Sequence, residues 1–499
     1  MRIGIQALPC CTAFLLAATR LWAAGGDVRL AEAVKNQDNA AVRSLLGQHA
    51  DVNAPLPDGS VAVAWAAHWD DLETTDLLLR AGAKVNIANN YGVTALWEAC
   101  NNRSAAMVDK LAKAGGDPNA TLAGTGETVL MRCARTGSAD AVNSLLARGA
   151  NVNGKENKKG QTALMWALEE RHVDVTRILI EHGADVHART AAGFTPLLFA
   201  ARQGELEPAR LMVEKGADVN VITPNGLTPL LVAADSGHEE LAIFLVQKGA
   251  NVRATDPDGL TALHYSLRMG ISILSFVNRG NGYPYSEKYL FRPNMSRLVN
   301  VLLEQGADPN ARVMKGTKLT ANIAPGGGVT EVGLAGATPF LLAAATSDVA
   351  IMRTLLAKGA DPKLGTNDGL TPLMAAAGVG RNGRLNRPKE EQKQSIEAIR
   401  MMLELGADIN ASNDDGLTAM HGAAFSGAND VVIFLAEKGA RLDLKDRYGQ
   451  TPLSRAEADP NGLIDNHWRI GHRDTAELLR KLGGDPLAPR PDQTSEARQ

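Results

Sequence analysis

An all-α array of stacked helix pairs, joined by short hairpin-like fingers, is what this sequence predicts. Three observations carry it: a fixed period, a repeated order of turn, cap, core and stop residues, and a core limited to small and aliphatic side chains. The period is plainest in 192–224, AGFTPLLFAARQGELEPARLMVEKGADVNVITP, and 225–257, NGLTPLLVAADSGHEELAIFLVQKGANVRATDP, each 33 residues long. Self-similarity at that spacing marks a repeat architecture, in which each unit buries its apolar face only against its neighbours. Hydrophobic residues make up 45% of the chain but aromatics only 4%, and 49 residues are Gly, so the helices are expected to approach closely. An array also explains how 499 residues avoid the size at which a single core stops growing.

Each unit justifies its elements in order. A turn Gly permits positive φ; Thr then caps the first helix, and Pro fills its first turn, where a missing N–H costs nothing. Thr195-Pro196, Thr228-Pro229, Thr338-Pro339, Thr371-Pro372 and Thr451-Pro452 are such starts. The Leu and Ala-Ala that follow form a narrow apolar stripe. Leu245 and Leu302-Leu303 mark the matching face of the second helix, and a Gly such as Gly216 in Gly216-Ala217-Asp218 stops it, because a left-handed residue is cheapest as Gly.

These elements, T-P-L-H, A-A, G-H and G-A-D-x-N, resemble the consensus of the ankyrin-repeat family, and the resemblance covers nearly all of residues 27–486. It implies an ankyrin-repeat solenoid of about twelve units, starting near Asp27, Asp58, Tyr91, Thr125, Lys159, Ala192, Asn225, Asp258, Ala335, Asp368, Asp415 and Tyr448. The expected organisation is a signal peptide (1–24), an N-terminal capping repeat (25–57), repeats over 58–447, a C-terminal capping repeat with an insertion (448–486) and a disordered tail (487–499). Within 58–447, insertions fall at about 270–295, 313–334 and 379–394. Those in the eighth, tenth and twelfth units separate first and second helices and are expected along one edge of the stack. The one at 313–334 extends a finger, with Gly326-Gly327-Gly328 as its turn.

The leader combines Arg2, a mostly apolar Ile3 to Ala18, and small residues at Ala23-Ala24-Gly25. It is shorter than the roughly 20 residues a spanning helix requires, so export to the periplasm or outside the cell is expected, with a retained N-terminal tether as the alternative. Cys10 follows Leu8-Pro9, a poor setting for lipid attachment. Of the remaining cysteines, Cys100 and Cys133 lie one repeat length apart. Stacked units usually stand farther apart than the roughly 4.4 to 6.8 Å a disulfide tolerates between Cα atoms. Free buried thiols are therefore expected.

The balance of 52 basic and 55 acidic side chains, without a like-charged run, argues against nucleic acid as a partner. No G-x-S-x-G or H-E-x-x-H element is present, and no Lys-Ser or Lys-Thr completes a phosphate loop after Gly328. His467, Trp468 and His472, with Asp465 and Asp474, match no metal-ligand spacing. His264 and His421 in T-P-L-H-like starts, and His238 and His472 in G-H steps, are read as bonds between repeats. No enzyme, cofactor or metal is expected.

Binding is the expected chemistry. The family resemblance assigns contact residues beside the turn Gly and after Ala-Ala on the concave face. Transferred to this chain, these are His68, Trp69, Tyr91, Asn101, Asn102, Arg135, Glu169, Glu170, Arg202, Gln203, Asp235, Arg268, Met269 and Phe425. Trp69, Tyr91 and Arg135 are of the types that dominate interface energies. A second candidate surface is Tyr283, Tyr285, Tyr289 and Phe291 in the eighth-unit insertion, with Trp468 in the twelfth. The expected function is a monomeric scaffold for a protein partner. The alternatives are a ligand-binding or enzymatic site built by the insertions of units eight, ten and twelve, and a secreted effector engaging a host protein.

Overall fold

A computed structural model describes residues 27–267, 269–271, 293–315, 334–380, 387–457 and 472–484. The leader, most of the eighth-unit and ninth-finger insertions, the twelfth-unit insertion and the tail lie outside them. The chain forms two compact units that divide between Asp218 and Val219.

The first unit holds six helix pairs, in each of which an inner helix is followed by an outer one: α1 (Arg29–Lys35) and α2 (Asn39–Gly47), α3 (Ala62–His68) and α4 (Leu72–Arg80), α5 (Ala95–Asn101) and α6 (Ala105–Lys113), α7 (Val129–Thr136) and α8 (Ala139–Leu146), α9 (Ala163–Glu169) and α10 (Val173–Glu181), and α11 (Pro196–Gln203) and α12 (Leu206–Glu214). The second holds α13 (Pro229–Ser236) and α14 (Glu239–Gln247), α15 (Ala262–Tyr265) and α16 (Ser296–Glu304), α17 (Pro339–Ala345) and α18 (Val349–Ala357), α19 (Pro372–Ala377) and α20 (Lys389–Glu404), α21 (Ala419–Phe425) and α22 (Asn429–Glu437), and α23 (Pro452–Ala456) and α24 (Arg473–Lys481). The expected all-α repeat of about twelve helix pairs is therefore present among the described residues.

The cap and stop chemistry accounts for the helix ends. Thr94, Thr128, Thr162, Thr228, Thr338, Thr371, Thr418 and Thr451 each accept a bond from the backbone N–H three residues on. At the end of α4, Gly82 has φ 89°, and the corresponding helix-stop glycines among the described residues lie between 82° and 91°. Its N–H donates to Leu79 O and that of Ala83 to Leu78 O, the paired bonds that close a left-handed helix stop.

At seven seams consecutive pairs are tied by an asparagine rung, whereas His187, Arg253, Lys363 and Asp443 take that position at the others. The Asn53 amide donates to Gly82 O at 3.2 Å while its carbonyl accepts from Lys84 N at 2.7 Å. Asn86, Asn119 and Asn153 repeat the rung in the first unit, and Asn220, Asn310 and Asn410 in the second. Arg253 supplies only the carbonyl half, donating to Gly306 O at 3.0 Å. The fingers are turns rather than extended hairpins, and all but those with Pro224 or Pro257 at the donor position are joined to the previous one by a backbone bond such as Ala123 N to Tyr91 O at 2.8 Å.

The tenth-unit insertion is described from Arg387 onward, residues 381–386 lying outside the described residues. Residues 389–395 lengthen the outer helix α20 to 16 residues, against 9 in α18 and α22. Buried Arg387 anchors this extension by donating to Ala376 O and Ala377 O at the end of α19 and to Ser395 Oγ.

One expectation is overturned. Cys100 and Cys133 form a disulfide, with their Cα atoms 4.6 Å apart. The caps Thr94 and Thr128 are 34 residues apart and the cysteines 33, so Cys100 is the sixth residue of α5 and Cys133 the fifth of α7. That diagonal brings the two Cα atoms within disulfide reach, at positions that mostly carry Ala in the other inner helices.

Candidate binding face

The expected contact residues of the first unit lie at the ends of the inner helices, and the structure adds a row one turn earlier. The fourth residues of α3, α5, α7, α9 and α11 are Trp65, Glu98, Arg132, Trp166 and Phe199; the seventh are His68, Asn101, Arg135, Glu169 and Arg202. Residues three apart share a helix face, and here the rows also interlock between units. His68 Nδ1 lies 3.2 Å from Glu98 Oε2, Arg132 donates to Asn101, Arg135 Nε donates to Glu170 at 3.3 Å, and Arg202 donates to Glu169.

Cations lie over the rings along the same face. Lys35 is 4.9 Å from the Trp65 ring centre, Arg132 is 4.7 Å from Trp97, Arg135 is 4.6 Å from Trp166 and Arg202 is 5.1 Å from Phe199. Such stacking holds a guanidinium in place while leaving its edge free to meet an acceptor. Trp69 extends the row: it stacks on Trp65, meets the His68 ring edge-on at 4.8 Å, and donates its Nε1–H to Lys35 O. It remains 43% exposed, and Tyr91, on the third finger, is 70% exposed.

The remaining expected residues divide. Asn102 is committed within the fold, its amide donating to Ala67 O and His68 O. Gln203 and Asp235 are half-buried, as are Met269 and Phe425 in the second unit. Arg268 and the whole second surface, Tyr283, Tyr285, Tyr289, Phe291 and Trp468, lie outside the described residues. Reading only the residues after Ala-Ala missed Trp65, Trp97, Arg132, Trp166 and Phe199. Their signal was available, since a bulky or charged residue three or four places before a contact position points to the same side.

Buried titratable groups serve the stacking. His264 Nε2 meets Ala311 O at 3.1 Å and His421 Nε2 meets Gln450 O at 3.1 Å, while each Nδ1 accepts from its capping Thr. Burial holds both imidazoles neutral, pushed down to about 4. At the start of the outer helices, His172 reaches Arg135 O at 3.0 Å and His472 reaches Phe425 O at 3.1 Å. Glu205 occupies that position before α12. It is 6% exposed and neither carboxylate oxygen has a hydrogen-bond partner. Burial pushes its pKa up to about 7 against the opposing charge of Arg171.

Among the described residues no helix is long and apolar enough to cross a membrane, and no group of three or more His, Cys, Asp or Glu is placed to hold a metal ion. A family model of ankyrin repeats in three copies matches residues 30–122, 102–190, 130–223, 197–280 and 391–487. Comparison with curated proteins gave no match.

Proposed function

Because the chain belongs to the ankyrin-repeat family, whose members are typically protein-binding scaffolds, we propose that it is a non-catalytic scaffold that captures a protein partner on the inner-helix face of its first unit. The observation that carries this reading is the row of cation-stacked rings running from Trp65 to Phe199 and flanked by exposed Trp69 and Tyr91. Trp, Tyr and Arg dominate interface energies because they bury much area with little rotamer loss. Here the stacking and ion pairs fix these side chains beforehand, so little freedom is lost on binding.

Export is part of the proposal. The apolar leader with its small-residue end supports it, as does the buried disulfide, a bond that persists in oxidising compartments. The test is capture from the exported fraction by wild-type chain, identification of the bound protein, and titration of that purified protein. The Trp69→Ala/Tyr91→Ala variant is expected to bind it at least about tenfold more weakly while retaining its helical circular dichroism. Equal affinity would remove this face as the site.

A further inference from the structure

Cys100 and Cys133 are fully buried, with no exposed surface on either residue. They join α5 to α7 beneath the pair formed by Arg132 and Asn101, which flank them in sequence. Thr136 Oγ1, one turn after Cys133, donates to Cys100 O at 2.8 Å, so hydrogen bonding closes the same seam. In α3, α9, α11, α13, α17, α19 and α21 the fifth residue is Ala, and the sixth is Ala in all of these but α9, which has Leu168. The cysteines therefore replace side chains that the stack accommodates as methyl groups, and packing alone does not call for sulfur at these places.

We propose that the Cys100–Cys133 bond is an oxidatively installed staple between the third and fourth repeats, closed during folding and sealed once the inner helices have docked. The reaction is thiol–disulfide exchange with a disulfide oxidant, either a small-molecule disulfide or an oxidoreductase. One cysteine thiolate attacks the oxidant's disulfide, forming a mixed disulfide and releasing one thiolate. The second cysteine thiolate then attacks the protein-side sulfur and releases the other. Two protein thiols lose two electrons and two protons, and the oxidant is reduced to two thiols. An oxidant has no path to sulfurs without exposed surface, so exchange precedes completion of the seam between α5 and α7. A reductant likewise has to wait for that seam to open. The staple keeps Arg132 and Asn101 in register and does not depend on the identity of any partner.

The full chain, refolded in a mixture of oxidised and reduced glutathione and alkylated under denaturing conditions, is expected to yield the linked 100–133 peptides in mass spectrometry without reduction. Dithiothreitol should cleave the bond at least about 100-fold more slowly in the folded chain than in urea. The Cys100→Ala/Cys133→Ala variant restores the residue used elsewhere in the array and is expected to fold with unchanged circular dichroism. Its most protected amides in α5 to α8 should exchange about 100-fold faster than in the wild type. Alkylation of both Cys100 and Cys133 in the refolded wild type would overturn the bond. Equal cleavage rates in folded and unfolded chain would overturn the seal, and unchanged exchange in the double-alanine variant would overturn the staple.

Discussion

Raising the pH from 5 to 8.5 is expected to weaken the first unit through one carboxyl group, and Glu205→Gln isolates the effect. The Glu205 carboxyl stands where His172 and His472 donate to a carbonyl of the preceding pair, but its oxygens are buried without partners. Its folded pKa is raised to about 7 from 4.5 in the unfolded chain. The folded state therefore holds the proton more tightly, so the associated stability is fully present below 4.5 and is lost as pH rises through 7. At about 1.4 kcal/mol per tenfold change in proton affinity, the ceiling is about 3 kcal/mol. Part of that change falls below pH 5, where the unfolded carboxyl already begins to ionise, so we expect a loss of about 2 kcal/mol between pH 5 and 8.5. Urea unfolding at a series of pH values, read by hydrogen exchange on peptides spanning α9 to α12, measures it after correction for intrinsic exchange rates. The wild type should lose about 2 kcal/mol between pH 5 and 8.5, and Glu205→Gln less than about 0.5 kcal/mol. Parallel profiles for the two proteins would refute the assignment to Glu205.

Other outcomes follow from the same geometry. Glu205→His should gain about 1 kcal/mol at pH 8 by making the carbonyl bond its counterparts make, measured in the same titration. In the second unit, His264 and His421 have depressed pKa values, so their contribution is present above 6.5 and lost as pH falls towards 4. His421→Asn should flatten that acid limb by about 2 kcal/mol, and an equally steep limb would contradict it. Asn86→Ala removes bonds to Gly115 O and from Asp117 N and should cost about 1 to 2 kcal/mol by urea denaturation. Arg455 and Asp446 form a pair with side chains 5% and 0% exposed. Arg455→Leu strands the carboxylate and should cost about 3 kcal/mol in the second unit.

The repeat was legible because its chemistry is local. A Thr cap, a Pro in the first turn and a Gly stop each act within a few residues, and the helices begin and end where those residues stand. The histidine roles were legible for the same reason, since His264 and His421 bond the Thr three residues before them. What escaped the sequence is what depends on the offset between neighbouring pairs. Counting from Cys100 to Cys133 gives one period, yet the caps are one residue farther apart, and that difference sets the cysteines on the diagonal where the helices meet. Stacking of Arg132 on Trp97 and of Arg135 on Trp166 likewise crosses a unit boundary. Burial of Glu205 shows only when the preceding pair is in place. The tenth-unit insertion read as an edge loop, whereas KEEQKQS is helix-favouring and, anchored by Arg387, continues α20 by two turns.

The asparagine ladder gives the array a direction. Every rung is offered by the earlier pair and received by the later one, through a Gly carbonyl and the N–H two residues beyond it. Cutting the chain between two pairs therefore produces unlike ends. The upstream fragment keeps an amide with both a donor and an acceptor unmet, whereas the downstream fragment keeps a helix stop whose backbone can turn to water. Grafting is unequal in the same way: a new pair can follow Asn410 with its rung already supplied, but one placed after Arg253 receives only the carbonyl half. Recombination of units should thus be tolerated at some seams and resisted at others, in an order set by one side chain per repeat.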